Sequence, residues 1–97
     1  MILEAVMLNV KSGMEQDFEE AFKTASSLIS SMKGYISHEL HRCIEVHGKY
    51  LLLVKWESLS DHTVGFRGSP EYQEWKQILH HFYDPFPTVE HFIALLG

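Results

Sequence analysis

Apolar and polar positions along the chain fall into segments with two different periods. Residues 2–10 (ILEAVMLNV) form a mostly apolar run that stops at Lys11-Ser12-Gly13, a turn signal, and read as a strand. Beyond it the period lengthens. Phe18, Ala21, Phe22, Ala25, Leu28, Ile29 and Met32 recur at spacings of three and four, with Glu15, Gln16, Glu19, Glu20, Lys23 and Ser27 on the opposite face. That is an amphipathic helix. Ser12 followed by Glu15 predicts a capping box at its start, and Lys33-Gly34 a left-handed cap at its end.

Tyr35 to Glu45 alternates imperfectly. One side carries Ile36, His38, Leu40, Arg42 and Ile44, the other Tyr35, Ser37, Glu39, His41 and Cys43, so its facing stays open. Val46-His47-Gly48-Lys49 reads as a hairpin turn with Gly48 at positive φ. Tyr50 to Trp56 is the strongest strand, and its unbroken apolar middle requires cover on both faces. Ser58 and Asp61 open a second helical region with Leu59, His62, Thr63 and Phe66 at helical spacing; Gly65 and Gly68 predict a break. Ser69-Pro70-Glu71 restarts the helix, with serine as cap, proline at the first position and an acid in the first turn. Tyr72, Trp75, Ile78, Leu79 and Phe82 carry its stripe until Asp84-Pro85-Phe86-Pro87 ends it. Thr88 to Leu95 alternates again and predicts the last strand.

The order β-α-β-β-α-β divides near Gly48 into two similar halves. It predicts one α+β domain over residues 1–97 of ferredoxin-like type, with right-handed crossovers and both helices on one face of a four-stranded antiparallel sheet. The other sheet face would be bare in a lone chain. Leucines on both faces of the Tyr50–Trp56 strand would make it an apolar patch. A homodimer through the sheet faces is therefore expected.

Composition narrows the function classes. With 97 residues the chain suits one domain with a thin margin of stability. A net charge of −5 with eight scattered Lys and Arg argues against nucleic-acid binding. Cys43 is the lone cysteine, so no intrachain disulfide is expected. Without a basic leader followed by a long apolar run, or a span of about 18 apolar residues, neither secretion nor a membrane is expected, and the default is a soluble cytoplasmic protein. Aromatic residues reach 12%, more than a small core needs, and point to a cavity or an interface.

Seven histidines raise the question of metal. No HExxH occurs, and adjacent His80 and His81 diverge on a helix by about 100°. No metal site and no cofactor are expected; solvent-facing or hydrogen-bonded histidines are the ordinary reading. Acid–base work by His62, with His38 and His91 facing a cavity or the interface, is the functional one. Trp56, Trp75, Tyr72, Phe66, Phe82, Phe86 and Phe92 pack a core or enclose a planar organic ligand. No phosphate loop and no GxSxG is present.

The segment LLLVKWESLSDHTVGFRGSPEYQEW…HHFYDPFPTVEHF resembles the antibiotic biosynthesis monooxygenase family. The likeness rests on a strand ending in Trp56, a short helix with His62, Ser69 before a helix bearing Tyr72, then Pro87 and a last strand with His91. The first strand, the Gly13 turn and the long helix extend it over nearly the whole chain. The resemblance implies a dimeric α+β barrel in which two sheets pack face to face. It also implies cofactor-independent oxygenation of a small aromatic, phenolic or quinol substrate. His62 would then be the acid–base group and Trp56 would stack on or orient the substrate, with Phe66, Tyr72, Trp75 and His91 binding it. A non-catalytic dimeric domain, binding a small ligand or related to stress, is the alternative. A third is haem binding or degradation. The asparagine and histidine of haem-degrading members fall at Val6 and Trp75 here, which leaves only His80 as a ligand from another turn.

Overall fold

A computed structural model describes residues 1–97. The elements follow in the order β1 (Ile2–Asn9), α1 (Glu15–Ser30), β2 (Tyr35–Arg42), β3 (Lys49–Trp56), a π-helical segment (Asp61–Phe66), α2 (Pro70–Leu79), a 3₁₀ turn (His80–Phe82) and β4 (Val89–Phe92). The four strands form one antiparallel sheet in the order β2-β3-β1-β4, with both helices against one face. This is the expected ferredoxin-like fold. No helix is long and apolar enough to cross a membrane.

Strand parity decides what the helices cover. Glu4, Val6 and Leu8 of β1 and Tyr50, Leu52, Val54 and Trp56 of β3 are buried beneath them. Phe18, Phe22, Ala25 and Ile29 of α1 and Trp75 and Leu79 of α2 close on this face. Leu3, Ala5, Met7, Leu51, Leu53 and Phe92 have the opposite parity and form an open apolar face.

Several local expectations change. The Ser12–Glu15 capping box does not form. Gly13 adopts φ +85° and the Met14 N–H bonds to the Lys11 carbonyl, so α1 starts from Met14 without a side-chain cap. Glu15 instead reaches His47 at 2.8 Å. Nor is Gly34 the cap of α1, which ends at Ser30 with Ser31 still right-handed. Gly34 has φ +84° further along, where its carbonyl accepts the Glu57 N–H and a Cβ would collide with Asp61.

A bulge between Tyr35 and Ser37 resolves the facing of β2. Ile36 is the extra residue, so Tyr35 joins His38, Leu40 and Arg42 on the helix side. The hairpin at Gly48 (φ +79°) and the Ser69 cap form as expected; the Ser69 hydroxyl accepts the Tyr72 N–H at 3.1 Å. The last strand is shorter than Thr88–Leu95. Its pairing with β1 ends where Phe92 meets Leu3, one residue short of the start of β1, and Ile93, Leu95 and Leu96 beyond it are exposed.

Candidate functional site

The register of the sheet assembles the site. Glu4 lies opposite Val54 on β3 and opposite His91 on β4, while Trp56 lies opposite Ile2, one same-face step from Glu4. The side chains of Trp56, Glu4 and His91 therefore stand in a row on the covered face. Glu4 is only 5% exposed. An unpaired carboxylate there would cost several kcal/mol, and the indole of Trp56 meets part of that need: its Nε1–H donates to Glu4 Oε1 at 2.9 Å.

The π-helical segment supplies the third side. The expected short helix and break take the form of a widened turn in which the Arg67 N–H bonds back to the His62 carbonyl. Ser58 caps its approach by accepting the Asp61 N–H at 3.2 Å. The segment presses His62 (3% exposed) and Phe66 inward. The His62 ring stacks on Trp56 with centroids 5.3 Å apart and planes 20° from parallel. Its Nε2 lies 3.4 Å from Glu4 Oε1 and its Nδ1 lies 2.8 Å from His91 Nε2. Its two nitrogens face different partners, so Glu4, His62 and His91 stand in file rather than converging on one point.

Burial pushes both central groups toward neutrality. The Glu4 carboxyl is raised to about 6 by desolvation, against the lowering effects of the Trp56 hydrogen bond and the Arg67 charge. His62 is driven down to about 3 by desolvation, with the Arg67 and His91 charges adding to it. The Glu4–His62 contact is thus between a carboxyl group and a neutral imidazole, because loss of hydration outweighs the attraction at this length. His91 is lowered by partial burial and by Arg67.

A cavity of about 410 Å³ opens beside this row, between the sheet and the helical layer. Val6, Leu8, Leu52 and Val89 form its floor; Phe66, Tyr72 and Trp75 its aromatic wall; His80, Tyr83, Phe86 and Pro87 its far end. Phe66 meets Tyr72 and Trp75 edge-on at 5.2 and 5.6 Å. The polar groups turned to the cavity are Glu4, His62, Arg67, Tyr72, His80 and Tyr83.

Of the expected site residues, His62, Phe66, Tyr72 and Trp75 line the cavity. Trp56 does not. It is fully enclosed and stacks on His62, so it stands behind the histidine, away from the lining. His91 likewise lies outside the lining, on the far side of His62. Glu4 went unread in the sequence, although its parity with Val6 and Leu8 marks a carboxylate on a buried face. Val6 and Trp75, the positions of the haem determinants, both line the cavity and present a methyl-bearing chain and an indole, neither a ligand for iron.

Comparison with known proteins gives consistent answers. The family model described as antibiotic biosynthesis monooxygenase matches residues 1–78. The uncharacterized protein YczJ of Bacillus subtilis (strain 168) is 65% identical over 92 residues, spanning 95% of this chain and 97% of its own length. A provisionally assigned antibiotic biosynthesis monooxygenase of Bordetella bronchiseptica superposes with a TM-score of 0.94 at 35% identity, covering 98% of this chain and 97% of its own. SnoaB, a cofactor-independent oxygenase from Streptomyces nogalater, shares the fold at a TM-score of 0.81 and 18% identity, covering 99% of this chain and 94% of its own.

Proposed function

The chain belongs to the antibiotic biosynthesis monooxygenase family, and on that footing we propose that it is a cofactor-independent monooxygenase acting on a small phenolic or quinol substrate. The carrying observation is the aromatic-walled cavity into which a buried carboxyl group, Glu4, and a neutral imidazole, His62, are turned. Apolar lining with a few polar groups suits a planar hydroxylated ring. The fold shared with an oxygenase that needs no cofactor supports the chemistry.

In such a reaction the substrate is the reductant. Loss of its hydroxyl proton gives an anion that passes electrons to dioxygen. When a ring C–H becomes a quinone C=O, four electrons leave the ring; one oxygen atom stays in the product and the other departs as water. The protein orients the ring and stabilises its anion. Phe66, Tyr72 and Trp75 hold the ring, and the Arg67 guanidinium at the cavity favours the phenolate.

Oxygen uptake across hydroquinones and polycyclic phenols tests the reading, with His62→Ala as control and chelator present throughout. Uptake above the buffer rate is expected with at least one compound, with one atom of labelled dioxygen retained in the product. No uptake with any of them would remove catalysis and leave a ligand-binding domain. The haem alternative rests on His80, and a haem titration in which the protein leaves the Soret band of free haem unshifted eliminates it.

We also propose that the working form is a homodimer joined through the open sheet face. Leu3, Met7, Leu51, Leu53 and Phe92 give it the character of a core surface rather than of a solvated one.

A further inference from the structure

We propose that Glu4 is the catalytic residue that takes the substrate's hydroxyl proton, and that His62 and His91 form the path by which this proton reaches solvent. The inference rests on the monooxygenase reading of the cavity and moves the base from the histidine to the carboxylate behind it.

Three observations carry it. First, both contacts of Glu4, with Trp56 and with His62, use Oε1. Oε2 makes no hydrogen bond, and Glu4 lines the cavity. The lone pairs of Oε2 are therefore free to accept a proton. Second, His62 bridges inside and outside. One nitrogen faces Glu4 and the other is 2.8 Å from His91, which sits half-buried on the edge strand β4, outside the cavity. Third, His62 is a poor base at neutral pH in this setting. The carboxyl is raised toward neutrality, where a general base works best. The groups facing Glu4 are Trp56 from β3, His62 from the π-helical segment, His91 from β4 and Arg67 beyond that segment.

The steps balance without an electron transfer. The substrate O–H bond breaks, its electron pair stays on oxygen as phenolate, and the proton joins Glu4 Oε2. A half-turn of the carboxyl about Cγ–Cδ presents that hydrogen to His62. His62 Nε2 accepts it while Nδ1–H passes to His91 Nε2, and His91 Nδ1–H passes to water. Glu4 returns to carboxylate, and Trp56, which can only donate, holds it again.

The test uses 4-nitrophenol as a coloured probe under anaerobic conditions, with a pH indicator dye reading bulk protons. Wild-type protein is expected to bind the probe as phenolate below the pH at which it ionises in free solution. Glu4→Gln should still bind the probe, since the aromatic wall and Arg67 are unchanged, but should lose roughly 10²-fold or more in turnover on any oxidised substrate. In His91→Phe the phenolate should still form, with protons appearing in bulk later than the colour. Equal turnover by wild type and Glu4→Gln overturns the base while leaving the cavity reading intact. Failure of wild type to bind any phenol overturns both. Should Glu4→Gln not fold, ¹³C-carboxyl-labelled wild type decides: one glutamate must titrate near 6, and its absence refutes the proposal.

Discussion

Glu4 and His62 depart from their ordinary ionisation in opposite directions, and their effects on stability have opposite signs. Glu4 is raised from 4.5 to about 6, so the folded protein holds its proton more tightly than the unfolded chain does. Its stabilising contribution is complete below pH 4.5 and is lost as the pH rises through 6, about 2 kcal/mol in all. His62 is depressed from 6.5 to about 3; its contribution is complete above 6.5 and is lost as the pH falls toward 3. Glu4→Gln keeps the shape and removes only the first effect. Urea denaturation should therefore find the variant gaining on wild type as the pH rises from 4.5 to 7, and more stable by on the order of 1–2 kcal/mol at pH 8. A variant less stable than wild type at pH 8 would show Glu4 to be a structural anchor. At this scale the sequence was only partly legible. His62 could be singled out because a histidine near a glycine-loosened helix is unusual. Glu4 stands unmarked inside the apolar run of residues 2–10, because a single carboxylate does not break the pattern of a strand. That Trp56 stacks behind His62 and does not line the cavity depends on the pairing of β3 with β1, which no local pattern carries.

Among the elements, the two serine starts behave differently although their local sequences look alike. Ser69 precedes a proline whose fixed φ commits the chain to helix; its hydroxyl accepts the Tyr72 N–H and donates to the Phe66 carbonyl at 2.6 Å. It thereby joins α2 to the π-helical segment. Ser12 precedes Gly13, whose left-handed conformation carries the chain away from a capping geometry. Ser69→Ala should lower stability by about 1 kcal/mol, and Ser12→Ala by less than about 0.5 kcal/mol, measured by the same denaturation. Equal losses would mean that the Ser12 cap forms in solution. Element type and order were legible throughout, since periods of two and 3.6 survive in a chain this short. The ends were not. β4 keeps only the four residues that pair with β1, and the facing of β2 is set by a bulge at Ile36.

For the whole molecule, the open sheet face dominates. Its apolar residues lie on β1, β3 and β4, and Glu39 and His41 of β2 border it. Joining two such faces would bury on both sides the strand that the sequence marks as apolar throughout. Light scattering should give about twice the 11.3 kDa chain mass at every concentration above the micromolar range. Leu53→Glu, placed mid-strand on that face, should return the mass to that of one chain while leaving the helical circular dichroism in place. A wild-type mass near one chain would refute the dimer.

The widened turn that carries His62 has a consequence for how such proteins diverge. A π-helical turn fits one more residue between bonded groups than an α-helical turn does. Loss of a single codon at Val64 or Gly65 would let the segment relax to ordinary α-helix. The His62 carbonyl and the Arg67 N–H would keep their bond, now closing an ordinary α-helical turn. The imidazole would then hold its place in the Glu4–His91 file. Length in this one turn is thus free to vary while the histidine keeps its neighbours. Relatives one residue shorter here should retain the histidine together with the carboxyl and the edge-strand imidazole it touches.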